Sequence, residues 1–174
     1  LESLIEELLT YARLDRPQNE LSLSEVDLPH WLTTHLDDVQ TLNPDHNIRV
    51  KTLNTANYGV LDMRLMARVL DNLVNNALRY CCSTVEVSLI HQGNFATLIV
   101  EDDGPGIAQD AREHIFDPFV RLDPSRDRST GGCGLGLAIV RSIAQAMGGT
   151  VICEESESGG AKFSFNWQVS SLSA

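Results

Sequence analysis

The sequence predicts one mixed α/β domain, and three observations lead there. The chain has 174 residues with 43% apolar content, segments of helical period alternate along it with segments of strand period, and Gly-rich stretches stand where these segments meet. A chain of this length buries one good core and is too short for two comfortable ones.

Residues 1–14 place Leu1, Leu4, Ile5, Leu8, Leu9, Tyr11 and Ala12 at helical spacing, with Glu2, Glu6, Glu7 and Arg13 between them. The stripe starts without a cap, so residues 1–16 read as the tail of an upstream helical element, joined by a polar linker at 17–20 to a main domain over 21–168. Within that domain 21–28 reads as a short strand and 29–42 as a helix with Pro29 in its first turn, while 48–53 alternates as a strand. The strongest helix spans 62–80, with Asp62 as N-cap and Met63, Met66, Leu70, Leu73, Val74 and Ala77 as its apolar face.

Residues 84–90 and 95–101 read as a hairpin turning at Gln92-Gly93-Asn94. The segment 102–132 is rich in Gly, Pro, Asp and Arg, with room only for a short helix near 110–115; loops of this length inside compact domains are usually functional. Residues 134–147 read as a helix, and 150–154 with 161–167 as a last hairpin across Ser158-Gly159-Gly160, before a Ser-rich tail at 169–174.

A net charge of −11 argues against nucleic acid and against an anionic membrane surface as partners. Cys81, Cys82, Cys133 and Cys153 have neither zinc-site nor disulfide-framework spacing and read as reduced thiols. No apolar run approaches the roughly 20 residues that span a bilayer, and no signal peptide opens the chain, so it is expected to be soluble as it stands.

On the 62–80 helix a turn of about 100° per residue brings Asn72, Asn76 and Arg79 within about 60° of one another, opposite the apolar stripe. Taken alone, such a face is an ordinary solvated helix surface. A second signal is Asp102-Asp103-Gly104-Pro105-Gly106-Ile107 at a strand end, where glycines let backbone approach a flat ligand and an Asp accepts a hydrogen bond from an exocyclic amine. A third is Gly131-Gly132-Cys133-Gly134-Leu135-Gly136-Leu137 running into a helix, whose free N–H groups and dipole favour phosphate. Each is weak by itself; a lone Asp-x-Gly-x-Gly pattern is more often a tight turn.

Their order and spacing, with Phe116-Asp117-Pro118-Phe119 between the second and third, resemble the N, G1, F and G2 boxes of sensor histidine kinases. Leu8 through Leu14 is similar to the end of that family's dimerisation and histidine phosphotransfer hairpin. The resemblance implies the Bergerat ATP-binding fold, a two-layer α+β sandwich with helices on one face of a mixed sheet. It implies that Asn76 ligates Mg²⁺ with Asn72 supporting it, that Arg79 and Tyr80 contact phosphates, and that Asp102 takes the adenine amino group with Gly104, Gly106 and Ile107 around the base. Gly132, Gly134, Leu135, Gly136 and Leu137 would bend a lid around the triphosphate, and Phe119 and Arg121 would join the site from the lid. Two positions depart from the common pattern: Arg79 stands where many relatives have Lys, and Cys133 where a small polar residue is common.

ATPases of the gyrase, HSP90 and MutL kind share this fold, so fold alone leaves the reaction open. They carry a Glu four residues before the metal-binding Asn, whereas Asn72 stands there in this chain, and an amide cannot take a proton from water at neutral pH. A phosphoryl-transferring kinase is the reading favoured over an ATPase or a silent binding module. None of His30, His35, His46, His91 and His114 has the acidic and Thr-Pro neighbours of a family acceptor histidine. The implied partners are therefore ATP or ADP, the protein's own dimerisation and phosphotransfer domain, a second copy in a homodimer, and a cognate response regulator; the implied location is the cytoplasmic side of a bacterial inner membrane.

Overall fold

A computed structural model describes residues 2–14, 21–53, 58–122 and 133–169; the expected linker at 17–20, Gly132 and residues 170–174 of the tail lie outside them. In chain order the elements are α1 (Glu2–Leu14), β1 (Ser24–Asp27), α2 (Leu28–Leu42), β2 (Asn47–Leu53), β3 (Tyr58–Leu61) and α3 (Met63–Tyr80). They continue with β4 (Thr84–Gln92), β5 (Phe95–Asp102), a 3-10 turn (His114–Phe116), α4 (Gly136–Ala146), β6 (Thr150–Glu155) and β7 (Ala161–Gln168).

Five strands form one sheet in the order β2-β4-β5-β7-β6, mixed because β2 runs parallel to β4 while the other neighbours are antiparallel. Strict alternation gives the sheet one apolar and one polar face. Val87, Val100 and Phe163 lie in one cross-strand row and Leu89, Leu98 and Phe165 in the next, all buried. On the other face, Lys51 pairs with Glu86 at 2.8 Å. Helices α2, α3 and α4 cover only the apolar face, which is the two-layer sandwich the sequence led us to expect.

Helix α3 starts because the Asp62 carboxylate accepts hydrogen bonds from the Arg64 and Leu65 amides, satisfying donors the first turn leaves open. The same carboxylate accepts from the Ser22 amide at 3.0 Å, anchoring the domain's first residues to this helix. Met66, Val69, Leu70, Leu73, Val74 and Ala77 are buried on one stripe; Met63, expected with them, is 45% exposed because it occupies the first turn, past the covered part of the stripe. Burial of each large aliphatic side chain here stabilises the fold by about 1.5–3 kcal/mol.

Three expectations needed correction. β3 was not anticipated: it pairs antiparallel with β1 as a separate two-stranded sheet. The short helix expected near 110–115 is a run of turns ending in one 3-10 turn, whose Ile115 and Phe116 are buried. The last helix begins at Gly136 rather than Gly134, because Gly134 has a φ of 80°, outside the helical range.

Helix α1 lies against α4. Arg68 of α3 donates to the Thr10 hydroxyl at 2.6 Å, and Tyr11 packs on the core. Among the described residues no helix is long and apolar enough to cross a membrane.

Candidate functional site

A cavity of about 430 Å³ opens between α3, α4 and the segment after β5. Helix α3 supplies Asn72, Asn76, Arg79 and Tyr80 to its wall, and also Asn75, which the sequence reading passed over. These positions follow from the helical turn: once the apolar stripe faces the sheet, the polar stripe has no direction left but the cavity.

Asp102 reaches the same space through strand parity. Ala96, Leu98 and Val100 point into the core along β5, and two residues further Asp102 must do so as well, leaving it 3% exposed. Its Oδ1 accepts from the Gly104 amide at 2.9 Å and the Ala161 amide at 3.3 Å. Burial nevertheless pushes its carboxyl pKa up, and the nearby Asp103 charge adds to that.

Asp103 does different work. It points away from the cavity and accepts from the backbone amides of Cys82, Ser83 and Thr84 between 2.8 and 3.1 Å, clamping the end of α3 to β4. Although desolvation opposes it, these bonds hold its carboxyl at about 2.

The loop after β5 comes close to its neighbours because it lacks side chains. A Cβ at Gly104 would sit 2.3 Å from the Tyr80 carbonyl oxygen, so Gly104 is set back against α3 and supports Asp102 rather than facing the cavity. Gly106, at φ 71°, does line the cavity, with Ile107 beside it. From the other side, a Cβ at Gly160 would meet the Asp102 carbonyl oxygen at 2.0 Å, and the Ser158 hydroxyl donates to that oxygen at 3.0 Å.

At the start of α4, the left-handed Gly134 carbonyl accepts from the Phe119 amide at 2.9 Å, which brings together the two ends of the 119–134 segment. Gly136 leaves room for Asn72, whose Oδ1 would lie 2.6 Å from an added Cβ, while the Asn72 amide donates to the Arg68 carbonyl at 2.9 Å. Among the described residues no side chain caps the first turn of α4. Its free N–H groups therefore stand where Gly134, Gly136 and Leu137 line the cavity, an arrangement that favours an anion.

Of the remaining expected site residues, Arg121 lines the cavity, whereas Leu135 is fully buried beneath it and the Phe119 ring is 61% exposed outside it. Phe119 and Leu135 thus shape the backbone without touching the space. Glu7, Ile115, Val120, Leu122 and Ala161 line it without having been anticipated; Glu7 and Ala161 reach it through contacts distant in sequence, with Cys133 and Asp102, that no local pattern signals.

The donor set suits a hard, partly hydrated cation. No group of three His, Cys, Asp or Glu side chains able to hold a metal occurs among the described residues, and the cavity instead offers amide oxygens from Asn72 and Asn76. Mg²⁺ commonly takes few protein oxygens and fills its shell with water and ligand phosphates. None of the five histidines lines the cavity; His35 pairs with Asp71 at 2.7 Å and His114 with Asp117 at 3.2 Å.

Residues 61–171 match the family described as histidine kinase-, DNA gyrase B-, and HSP90-like ATPase. The chain is 76% identical to the sensor protein RstB of Escherichia coli over 97% of its length, and 35% identical to the sensor histidine kinase CpxA of the same species over 93%. It spans only 39% and 36% of those two proteins. Among solved structures, full-length ShkA in complex with AMPPNP superposes with a TM-score of 0.85 at 30% identity, covering 99% of this chain and 36% of that one. The Acinetobacter baumannii histidine kinase AdeS superposes at 0.78 with 24% identity, over 98% of this chain and 79% of its own, and speaks for the fold alone.

Proposed function

We propose, from the premise that this chain belongs to the family of histidine kinase-, DNA gyrase B-, and HSP90-like ATPases, that it is the Mg-ATP-binding catalytic domain of a two-component sensor histidine kinase. The observation that carries the reading is the convergence of Asn72, Asn76, Asp102 and the uncapped start of α4 on one cavity. In this reading the Asp102 carboxylate accepts the adenine amino group and Gly106 and Ile107 leave room for the ring. Arg79, Tyr80 and Arg121 hold phosphate oxygens together with the backbone N–H groups at Gly134, Gly136 and Leu137. Gly104, Phe119 and Leu135 fix the backbone around them.

Asn76 offers its amide oxygen to Mg²⁺, and Asn72, tethered to the Arg68 carbonyl, stands one turn before it. Bound there, Mg²⁺ supplies neutralisation of the charge on the transferring phosphate. The acceptor is a histidine imidazole, whose neutral nitrogen attacks without a base from this domain, and Asn72 lacks the basicity to activate water. The phosphoryl group then passes to an aspartate of a response regulator. Residues 1–16 are the end of the dimerisation and phosphotransfer helix, 17–20 the linker, 21–168 the catalytic domain and 169–174 the tail. In the whole protein this domain works in a homodimer, on the cytoplasmic side of the inner membrane.

The test is binding of a fluorescent ATP analogue with and without Mg²⁺, followed by incubation with γ-labelled ATP. The chain should bind the analogue, acquire no acid-labile phosphate alone, and slowly phosphorylate a separately supplied phosphotransfer hairpin, since the linker's effective concentration, on the order of millimolar, is missing. Acid-labile phosphate on the chain itself would overturn the division of labour.

A further inference from the structure

Helix α1 puts a carboxylate where the nucleotide's negative charge would go. Glu7 is part of the cavity wall, together with Arg79 and Arg121. Its Oε2 accepts from the Cys133 thiol at 2.7 Å, and Cys133 directly precedes Gly134, which begins the anion-favouring approach to α4. The helix is held there by contacts with α4, by the Arg68–Thr10 hydrogen bond and by the packing of Tyr11. A carboxylate fixed in that position repels a polyphosphate, and the repulsion grows with ligand charge.

We infer that Glu7 is a specificity-determining residue of this cavity: while α1 is docked, it selects against the more highly charged nucleotide unless a metal ion neutralises the phosphates. The inference rests on the nucleotide reading above. Docking of α1 and binding of free triphosphate are then competing events, and each metal-bound nucleotide pays less of the repulsion than its metal-free form. The Cys133 thiol matters here as a neutral donor; burial, with the Glu7 bond next, pushes its pKa up, so it brings no charge of its own.

The experiment is calorimetric titration of the 174-residue chain and its Glu7→Gln variant with adenosine, ADP and ATP, each with and without Mg²⁺. Glutamine keeps the shape and can still accept from Cys133, so only charge is removed. Without Mg²⁺ the variant should bind ATP roughly five- to tenfold more tightly, ADP less so, and adenosine equally; with Mg²⁺ the gain for ATP should shrink. Thr10→Val, which loosens α1 from Arg68, should tighten the metal-free nucleotides in the same order. Three results would overturn the inference: equal tightening for adenosine, no change for any ligand, or weaker Mg-ATP binding in Glu7→Gln, which would make the carboxylate a holder of the metal. A chain that binds neither adenosine nor ATP would end the nucleotide reading and this inference with it. Binding of both with an affinity indifferent to residue 7 would end this inference alone.

Discussion

Replacing Asp102 with Asn should separate what this side chain does for the ligand from what it costs the fold. Asp102 is 3% exposed, and two backbone N–H groups satisfy its Oδ1, but the charge that bears on it most, Asp103, is also negative. Asparagine has the same shape and keeps a carbonyl oxygen for those amides. Yet it removes the ionised acceptor, and turning its NH₂ toward the adenine amine would set donor against donor. A hydrogen bond to a charged group is worth about 1.5–3 kcal/mol, so ATP should bind about 10- to 150-fold more weakly, with or without Mg²⁺.

Stability should move the other way. Burial raises the Asp102 pKa above its ordinary 3.8, so the folded state holds this proton more tightly than the unfolded chain does. The associated stability is fully present below 3.8 and is lost as pH rises through the raised value. Asp102→Asn removes that loss, and its melting temperature at neutral pH should equal or exceed that of the parent. Titration calorimetry and thermal melts across this pH window check both halves. A variant that melts several degrees lower at neutral pH, or that binds ATP within twofold of the parent, would refute the reasoning.

Asn76→Ala should weaken ATP binding roughly tenfold or more in Mg²⁺ and hardly at all without it, in the same fluorescent-analogue assay. Gly160→Ala forces a methyl group onto the Asp102 carbonyl and should destabilise the fold by about 1–3 kcal/mol in urea unfolding, and weaken adenosine binding through Asp102. Asp103→Ala removes the clamp on residues 82–84 and should cost about 1 kcal/mol at neutral pH. Because Asp103 is held at about 2, its stabilisation is present above its ordinary 3.8 and fades as pH falls toward 2, so the parent and the variant should converge in acid.

Much of this architecture could be read from the chain because it is written in local periods. The α3 stripe, the β4–β5 hairpin and the glycines around Asp102 and before α4 each show within a dozen residues. β3 could not be read that way: Gly59, Val60 and Leu61 are all buried, so no alternation remains, and its partner β1 lies more than thirty residues upstream. The 3-10 turn resembled a helix because Ile115 and Phe116 are apolar, though their burial comes from packing under α4 rather than from a helical stripe. Glu7 was legible only as one of the charges between the apolar positions of the first helix; its place beside Cys133 is a contact across 126 positions. For Gly104, Phe119 and Leu135 the motif identified residues that matter to the site's backbone, but a motif does not distinguish a wall from its support.

The alternation of β5 makes that strand a counting device. Ala96, Leu98 and Val100 are its apolar teeth, and Asp102 is the fourth, so the identity of the residue offered to the cavity depends on an even count from the core. One residue lost between Phe95 and Asp102 would move the residues after it back by one place, bringing Asp103 to the ligand, turning Asp102 to the opposite face of the strand and leaving Gly104, which has no carboxylate, to clamp the turn. The Gly93 turn lies outside the count, since length added there shifts neither the parity nor the pairing of Val100 with Phe163. Among descendants of this chain, insertions should therefore accumulate at the tip of that hairpin and be purged from the eight residues that follow it.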